Sequence, residues 1–178
     1  MIEQTVDKLK FLLFENLSPY TRVFHAVSTR IGGVSPPPFH SLNLGTNTED
    51  VWQNVMQNYT LLSRALQFDL QSVVTSHQVH QADIARVDTV PQRSVPFPRA
   101  HALDGYDAFI TARPGIVLMV RVADCVPVIL YEPVKNVLAL VHAGWKGTLA
   151  GIAEKTVTEM VRGWGCAAEN IRAGIGPA

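Results

Sequence analysis

A carboxylate and a thiol, Asp124 and Cys125, interrupt an apolar stretch that otherwise runs from Ile116 to Tyr131. Each half is fit for a buried strand, and groups that ionise or bind metal need a reason to stand between them. The next apolar run, Val137 to Val141, ends on His142, and Gly144-Trp145-Lys146-Gly147-Thr148 follows at once. Upstream, Ser72 to Ser76 has strand character and leads into His77-Gln-Val-His80. If both histidines lie on one strand, their odd spacing sends them to opposite faces, so one of the two can join Cys125 and His142. Two imidazoles and a thiolate make three ligands, the number of a catalytic zinc that keeps its fourth position for water or substrate.

The same side chains allow other chemistry. With Cys125 as nucleophile, His142 as base and Asp107 or Asp124 orienting it, the site is a cysteine hydrolase or amidase. A non-enzymatic, zinc-stabilised module would need a closed site of four protein ligands, and three are in register. A blue-copper centre also uses two histidines and a cysteine, but multicopper oxidation with oxygen reduction needs a further copper cluster fed by many histidines. The chain has six histidines and no His-x-His pair, which ranks that reading low, although copper could enter such a donor set adventitiously.

The elements that must position these groups show in the periodicity. After Thr148, apolar residues at Leu149, Ile152, Ala153, Thr156, Val157, Met160, Val161 and Trp164 predict a helix, with Gly163 or Gly165 to stop it. Strand, glycine turn and helix would aim free N–H groups and the positive end of the helix dipole at the corner that holds His142, which suits an anion. Arg30, beside Gly32-Gly33, is either a solvated turn residue or a planar fork for a carboxylate or phosphate. Asp50 and Gln53 have capping-box spacing ahead of a stripe of Trp52, Val55, Met56, Tyr59, Leu62 and Leu66, assigned to packing. Short strands are expected at Phe11 to Phe14, Val23 to Ser28, Ile84 to Val87 and Ile171 to Ile175, and a turn at Asp104 to Asp107 opens another. Asp107 there caps a loop or orients a metal-binding histidine.

With 178 residues and 47% hydrophobic content, the chain can bury one substantial core, and one domain over 1–178 is expected. Fifteen basic and fifteen acidic residues cancel without a basic cluster, which argues against nucleic acid as a partner. The opening residues are too charged for a membrane span or signal peptide, and two cysteines without an export signal point to reduced thiols in the cytoplasm. Val90 to Pro98 reads as a surface loop or lid, and His25, His40 and His101 have no partner nearby in sequence.

Taken together, STRIGGVS (28–35), SLNLG (41–45), QVH (78–80), DGYDAFIT (104–111), ADCVPVIL (123–130), HAGWKGT (142–148) and GIGPA (174–178) resemble the laccase-domain family. That family was first labelled multicopper polyphenol oxidase, and its members are regarded as zinc-dependent purine nucleoside phosphorylases. The resemblance implies an α/β fold, a mixed β-sheet sandwich with flanking helices, and metal ligands at His80, Cys125 and His142. It implies phosphorolysis of adenosine, guanosine or inosine to free base and ribose 1-phosphate, with adenosine deamination and methylthioadenosine cleavage as secondary activities. Phosphate would sit near Gly144, Gly147 and Thr148, with charge from Arg30 and Lys146 and a contribution from Asn43 of SLNLG. Asp107 and Asp124 would orient groups or carry protons beside Cys125. Gln81 stands where the family has glycine, and Lys146 where it often has arginine. Family members continue past the last motif, so the chain is expected to lack its C-terminal part, and apolar strand edges make a homodimer plausible.

Overall fold

In chain order, the computed structural model has β1 (Ile2–Val6), β2 (Leu9–Leu13), β3 (Val27–Ser28), α1 (Trp52–Leu66), β4 (Val73–Val74), β5 (Ser76–His77) and β6 (Ile84–Arg86). There follow β7 (Leu103–Asp104), β8 (Ala108–Thr111), β9 (Val117–Leu118), β10 (Val126–Glu132), β11 (Val137–Ala143), α2 (Trp145–Leu149), α3 (Ile152–Trp164) and β12 (Arg172–Ile175). The structure describes residues 1–92, Phe97 and 103–178; most of the expected Pro-rich loop or lid, and His101, lie outside them.

A five-stranded mixed sheet in the order β12-β10-β11-β8-β6 carries the architecture, antiparallel except for the β6–β8 pair. Side chains alternate across it. Val128, Leu130, Val137, Ala139 and Val141 pack with Ile152 and Met160 of α3, while Ile129, Tyr131, Leu138 and Leu140 meet Phe14 and Leu17 on the other side. His142 follows Val141 and so faces away from α3, where an open cavity lies; its register partner is Pro127. Burying Ile152 and Met160 completely contributes about 2 kcal/mol each, which fixes α3 on the sheet. The fold is the expected mixed α/β type. Smaller pairings surround the sheet: the β1-β2-β3 meander, and the parallel pairs β4–β9 and β5–β7.

Several local expectations change. The helix predicted from Leu149 is two helices, because Gly151 takes a left-handed conformation (φ 75°), and Leu149 is 84% exposed rather than in the buried stripe. Gly165 (φ 67°), and not Gly163, ends α3. Asp50 does not cap α1: Val51 occupies that place, and the Asp50 carboxylate accepts from Ser35, Asn43 and Asn54 instead. Of Val23 to Ser28 only β3 is extended in a sheet, and of Ile116 to Val122 only β9; the residues after β9 leave the ladder to carry Cys125. The strand β1 was not expected from the sequence, where its residues mix charge and apolar character. Among the described residues, no helix is long and apolar enough to cross a membrane.

His25 joins the end of β2 to the segment that leads into β3. Its ring stacks on Phe14 at 5.6 Å, and its Nε2 accepts the buried Phe14 N–H at 2.8 Å, so it serves as a neutral acceptor. Burial lowers its pKa from 6.5. Because the unfolded chain then binds the proton more readily, this stabilisation is complete above about pH 6.5 and is lost as pH falls through the lower folded value. The urea midpoint should therefore decline between pH 7 and pH 5, and His25→Gln should flatten that decline.

Candidate metal centre

Asp107 sits immediately before β8, fully buried, and four donors converge on its carboxylate. The amides of Val79, His80 and Gln81 donate to it at 3.1, 3.1 and 3.0 Å, and His142 Nδ1 lies 2.7 Å from Oδ1. The His142 amide also donates to the Asp107 carbonyl at 2.7 Å. Burial alone would push this carboxyl up, but the bonds from His142 and the three amides hold it below its ordinary value. With Nδ1–H committed to Asp107, His142 presents the lone pair of Nε2 to the cavity.

The tight turn after β5 brings His80 to the same place. His80 adopts φ 61°, a left-handed conformation that costs a non-glycine residue about 1 kcal/mol, and the three amide bonds to Asp107 hold it there. Since the positive φ falls on His80 and not on the next residue, Gln81 fits where the family has glycine. The rings of His80 and His142 meet edge to face, 4.9 Å between centroids. Cys125 arrives from the segment between β9 and β10. The donor atoms of His80, Cys125 and His142 all lie within 4.8 Å of one another. A tetrahedral zinc, with bonds of about 2.0–2.3 Å, spaces its ligands by about 3.5 Å, so the trio fits with a small contraction. Among the described residues this group has three donors, which leaves one position open.

Other features suit a cation. Cys125 is half-buried, and burial, the Asp124 carboxylate and more distantly Asp107 all push its thiol up; its Sγ donates to Asp124 Oδ1 at 3.7 Å. A thiol in that setting stays protonated until a positive charge offsets the carboxylates. Gly144 caps α2 beside the trio, and a Cβ there would stand 3.0 Å from His80 Cδ2 and 3.1 Å from Cys125 Sγ.

The remaining sequence-predicted residues divide. Arg30 and Asn43 line the same open cavity as the trio. Arg30 is exposed and anchored by Nε to the His40 carbonyl at 2.7 Å. The Asn43 amide is engaged within its own loop, donating to Thr48 and Asp50 and accepting from Gly45 N–H. Lys146, Gly147 and Thr148, expected near phosphate, lie on α2 and do not line that cavity. The Thr148 amide donates to the Gly144 carbonyl at 2.8 Å inside the helix, Gly147 backs closely onto the Gln81 carbonyl, and Lys146 lies over the Trp145 ring. His77 is exposed on β5 and outside the trio.

Two residues escaped the sequence reading. Asn58 of α1, fully buried, accepts from Val34 N–H and donates to Ser35, Ser41 and Asn43, pinning the loop that carries Arg30. A polar residue among Val55, Tyr59 and Leu62 is the signal that could have revealed it. Gln78, two residues before His80, pairs with the backbone of Arg121.

Residues 24–178 match the family model described as multi-copper polyphenol oxidoreductase laccase. The chain belongs to that family. It is similar to the purine nucleoside phosphorylase of Bacteroides thetaiotaomicron, 35% identical over 178 residues, covering 100% of this chain and 66% of the relative. It is also similar to that of Streptomyces coelicolor, 42% identical over 149 residues, covering 84% and 58%. The chain thus spans less than two thirds of these relatives' length. Among solved structures, Bacillus licheniformis hypothetical protein YfiH has a TM-score of 0.87 at 36% identity, covering 98% of this chain and 64% of that one. YlmD from Geobacillus stearothermophilus has 0.85 at 32% identity, with the same coverage.

Substitutions around the trio should be read in metal affinity. Asp107→Asn keeps the shape but turns one acceptor into a donor facing N–H groups, and should weaken zinc binding by about 10- to 100-fold in competitive chelator titrations. Gly144→Ala should displace His80 and Cys125 by a few tenths of an ångström and weaken zinc in the same assay.

Proposed function

We propose that this protein is a zinc-dependent purine nucleoside phosphorylase of the cytoplasm, converting adenosine, guanosine or inosine and phosphate to free base and ribose 1-phosphate. The observation that carries the reading is the three-donor cluster, held open on one side and backed by Asp107, in a family whose relatives are named for that activity. In this reading His80, Cys125 and His142 hold the metal, which when bound supplies a Lewis acid beside the substrate and lowers the pKa of water for the secondary deamination of adenosine. Methylthioadenosine cleavage is the same phosphorolysis on a modified ribose.

The chain's own groups supply the rest. Arg30, with Nε fixed by His40, offers its remaining donors to phosphate on the wall of the cavity. Phosphate oxygen bonds to the ribose anomeric carbon as the bond to the purine nitrogen breaks, and the departing base takes up a proton. Asp124, exposed beside Cys125, is placed to relay it. Asp107, sealed from solvent by its four partners, orients and does not shuttle. The same donor set accepts copper, which binds such ligands more tightly than zinc.

Cys125, His142 and Asp107 also have the order of a nucleophile–base–carboxylate triad. The raised thiol pKa opposes that use, since burial and the Asp124 carboxylate both disfavour the thiolate. The two readings separate by experiment. Zinc-loaded protein given inosine and phosphate should release hypoxanthine and ribose 1-phosphate in equal amounts, chelation should abolish this, and metal analysis should find about one zinc per chain. Activity that survives chelation, together with rapid alkylation of Cys125, would replace this reading with the hydrolase. Arg30→Ala should raise the KM for phosphate by about 10- to 100-fold, with zinc content unchanged.

A further inference from the structure

The three ligands come from three separate segments, and Asp107 joins only two of them, the His80 turn and β11. What sets the third, Cys125, at bonding distance from His80? The parallel pair β4–β9 aligns Val73 with Val117 and Val74 with Leu118, and Met119 N–H continues it by donating to the Val74 carbonyl at 2.9 Å. There the ladder ends, because β5 turns to pair with β7. Past that point the segment 120–125 belongs to no strand, yet it delivers Cys125.

Gln78 spans the gap. Its Nε2 donates to the Arg121 carbonyl at 2.8 Å, and its Oε1 accepts the Arg121 N–H at 2.8 Å. The side-chain amide thus reproduces the two-bond pairing of a ladder, joining the backbone two residues before one ligand to the backbone four residues before another. Both bonds are short, and both would leave backbone polar groups without their partner if the amide were removed. We infer that Gln78 is a positioning residue for the metal centre: its paired bonds to Arg121 set the separation of His80 and Cys125. This rests on the reading of the trio as a metal site. Like the bond that His142 Nδ1–H donates to Asp107, it acts on ligand placement and touches no metal-binding atom.

The test titrates metal-free protein with zinc against a competing chelator, in the unmutated chain, in Gln78→Ala and in Gln78→Glu, which keeps length and the acceptor but loses the donor. Cobalt(II) absorption gives an independent readout, because the thiolate-to-cobalt band reports whether Cys125 reaches the ion. The expected result is zinc binding weaker by about tenfold or more in both variants. The cobalt–thiolate band should be reduced relative to the unmutated chain, while the metal-free variants keep its melting temperature within a few degrees. Unchanged zinc affinity and cobalt spectra in folded variants would overturn the role of Gln78 and leave the metal site standing. Failure of both variants to fold without metal would also overturn it, since the pair would then hold the chain and not the ligand spacing. An unmutated chain that takes up neither zinc nor cobalt would remove the metal site and this inference together.

Discussion

A buried carboxylate is tolerated only when its lone pairs are filled, and the structure around the site follows from how Asp107 meets that condition. Its position just before β8 places it beside β11, so the hydrogen bond from His142 N–H to its carbonyl already fixes that histidine alongside. The oxygens then need donors, and the turn at 79–81 supplies three amides. The left-handed residue at His80 turns the chain so that consecutive N–H groups point at one carboxylate. One charge therefore selects the tautomer of one imidazole and the backbone of the other.

The surrounding fold keeps that arrangement dry on one side and open on the other. Packing of α3 against Val128, Leu130, Ala139 and Val141 fills one face of the sheet, so the ligand face is the other by alternation alone. The short helix α2 is capped by Gly144, where a side chain would press on the ligands, and Gly147 lets it lie against the Gln81 carbonyl. Both glycines are used for close approach.

Much of this was legible in the sequence. Apolar runs interrupted at Cys125 and ended by His142 marked the strand ends, and their continuous apolar character pointed to buried strands. The alternatives for the first histidine stayed open until the family motifs were compared, because spacing cannot show that residue 80 leaves its strand in a turn. The glycine turn expected ahead of a helix at Leu149 is itself helical, and the Thr148 amide makes the first hydrogen bond of α2, to the Gly144 carbonyl. Gln78 was invisible as a pin because its partners in the Arg121 backbone have no letter in the sequence, and most of the partners of Asn58 are backbone groups as well. The donor set of His80, Cys125 and His142 does not distinguish copper from zinc by geometry alone.

The wide separation of the ligands along the chain has a consequence for folding. Residues 80, 125 and 142 become neighbours only after the hairpin, the parallel β6–β8 pair and the turn at 79–81 have formed, so the unfolded chain offers no comparable chelate. An ion held there acts as a three-way cross-link that binds the native state alone, and its affinity is conferred directly on the fold as resistance to opening.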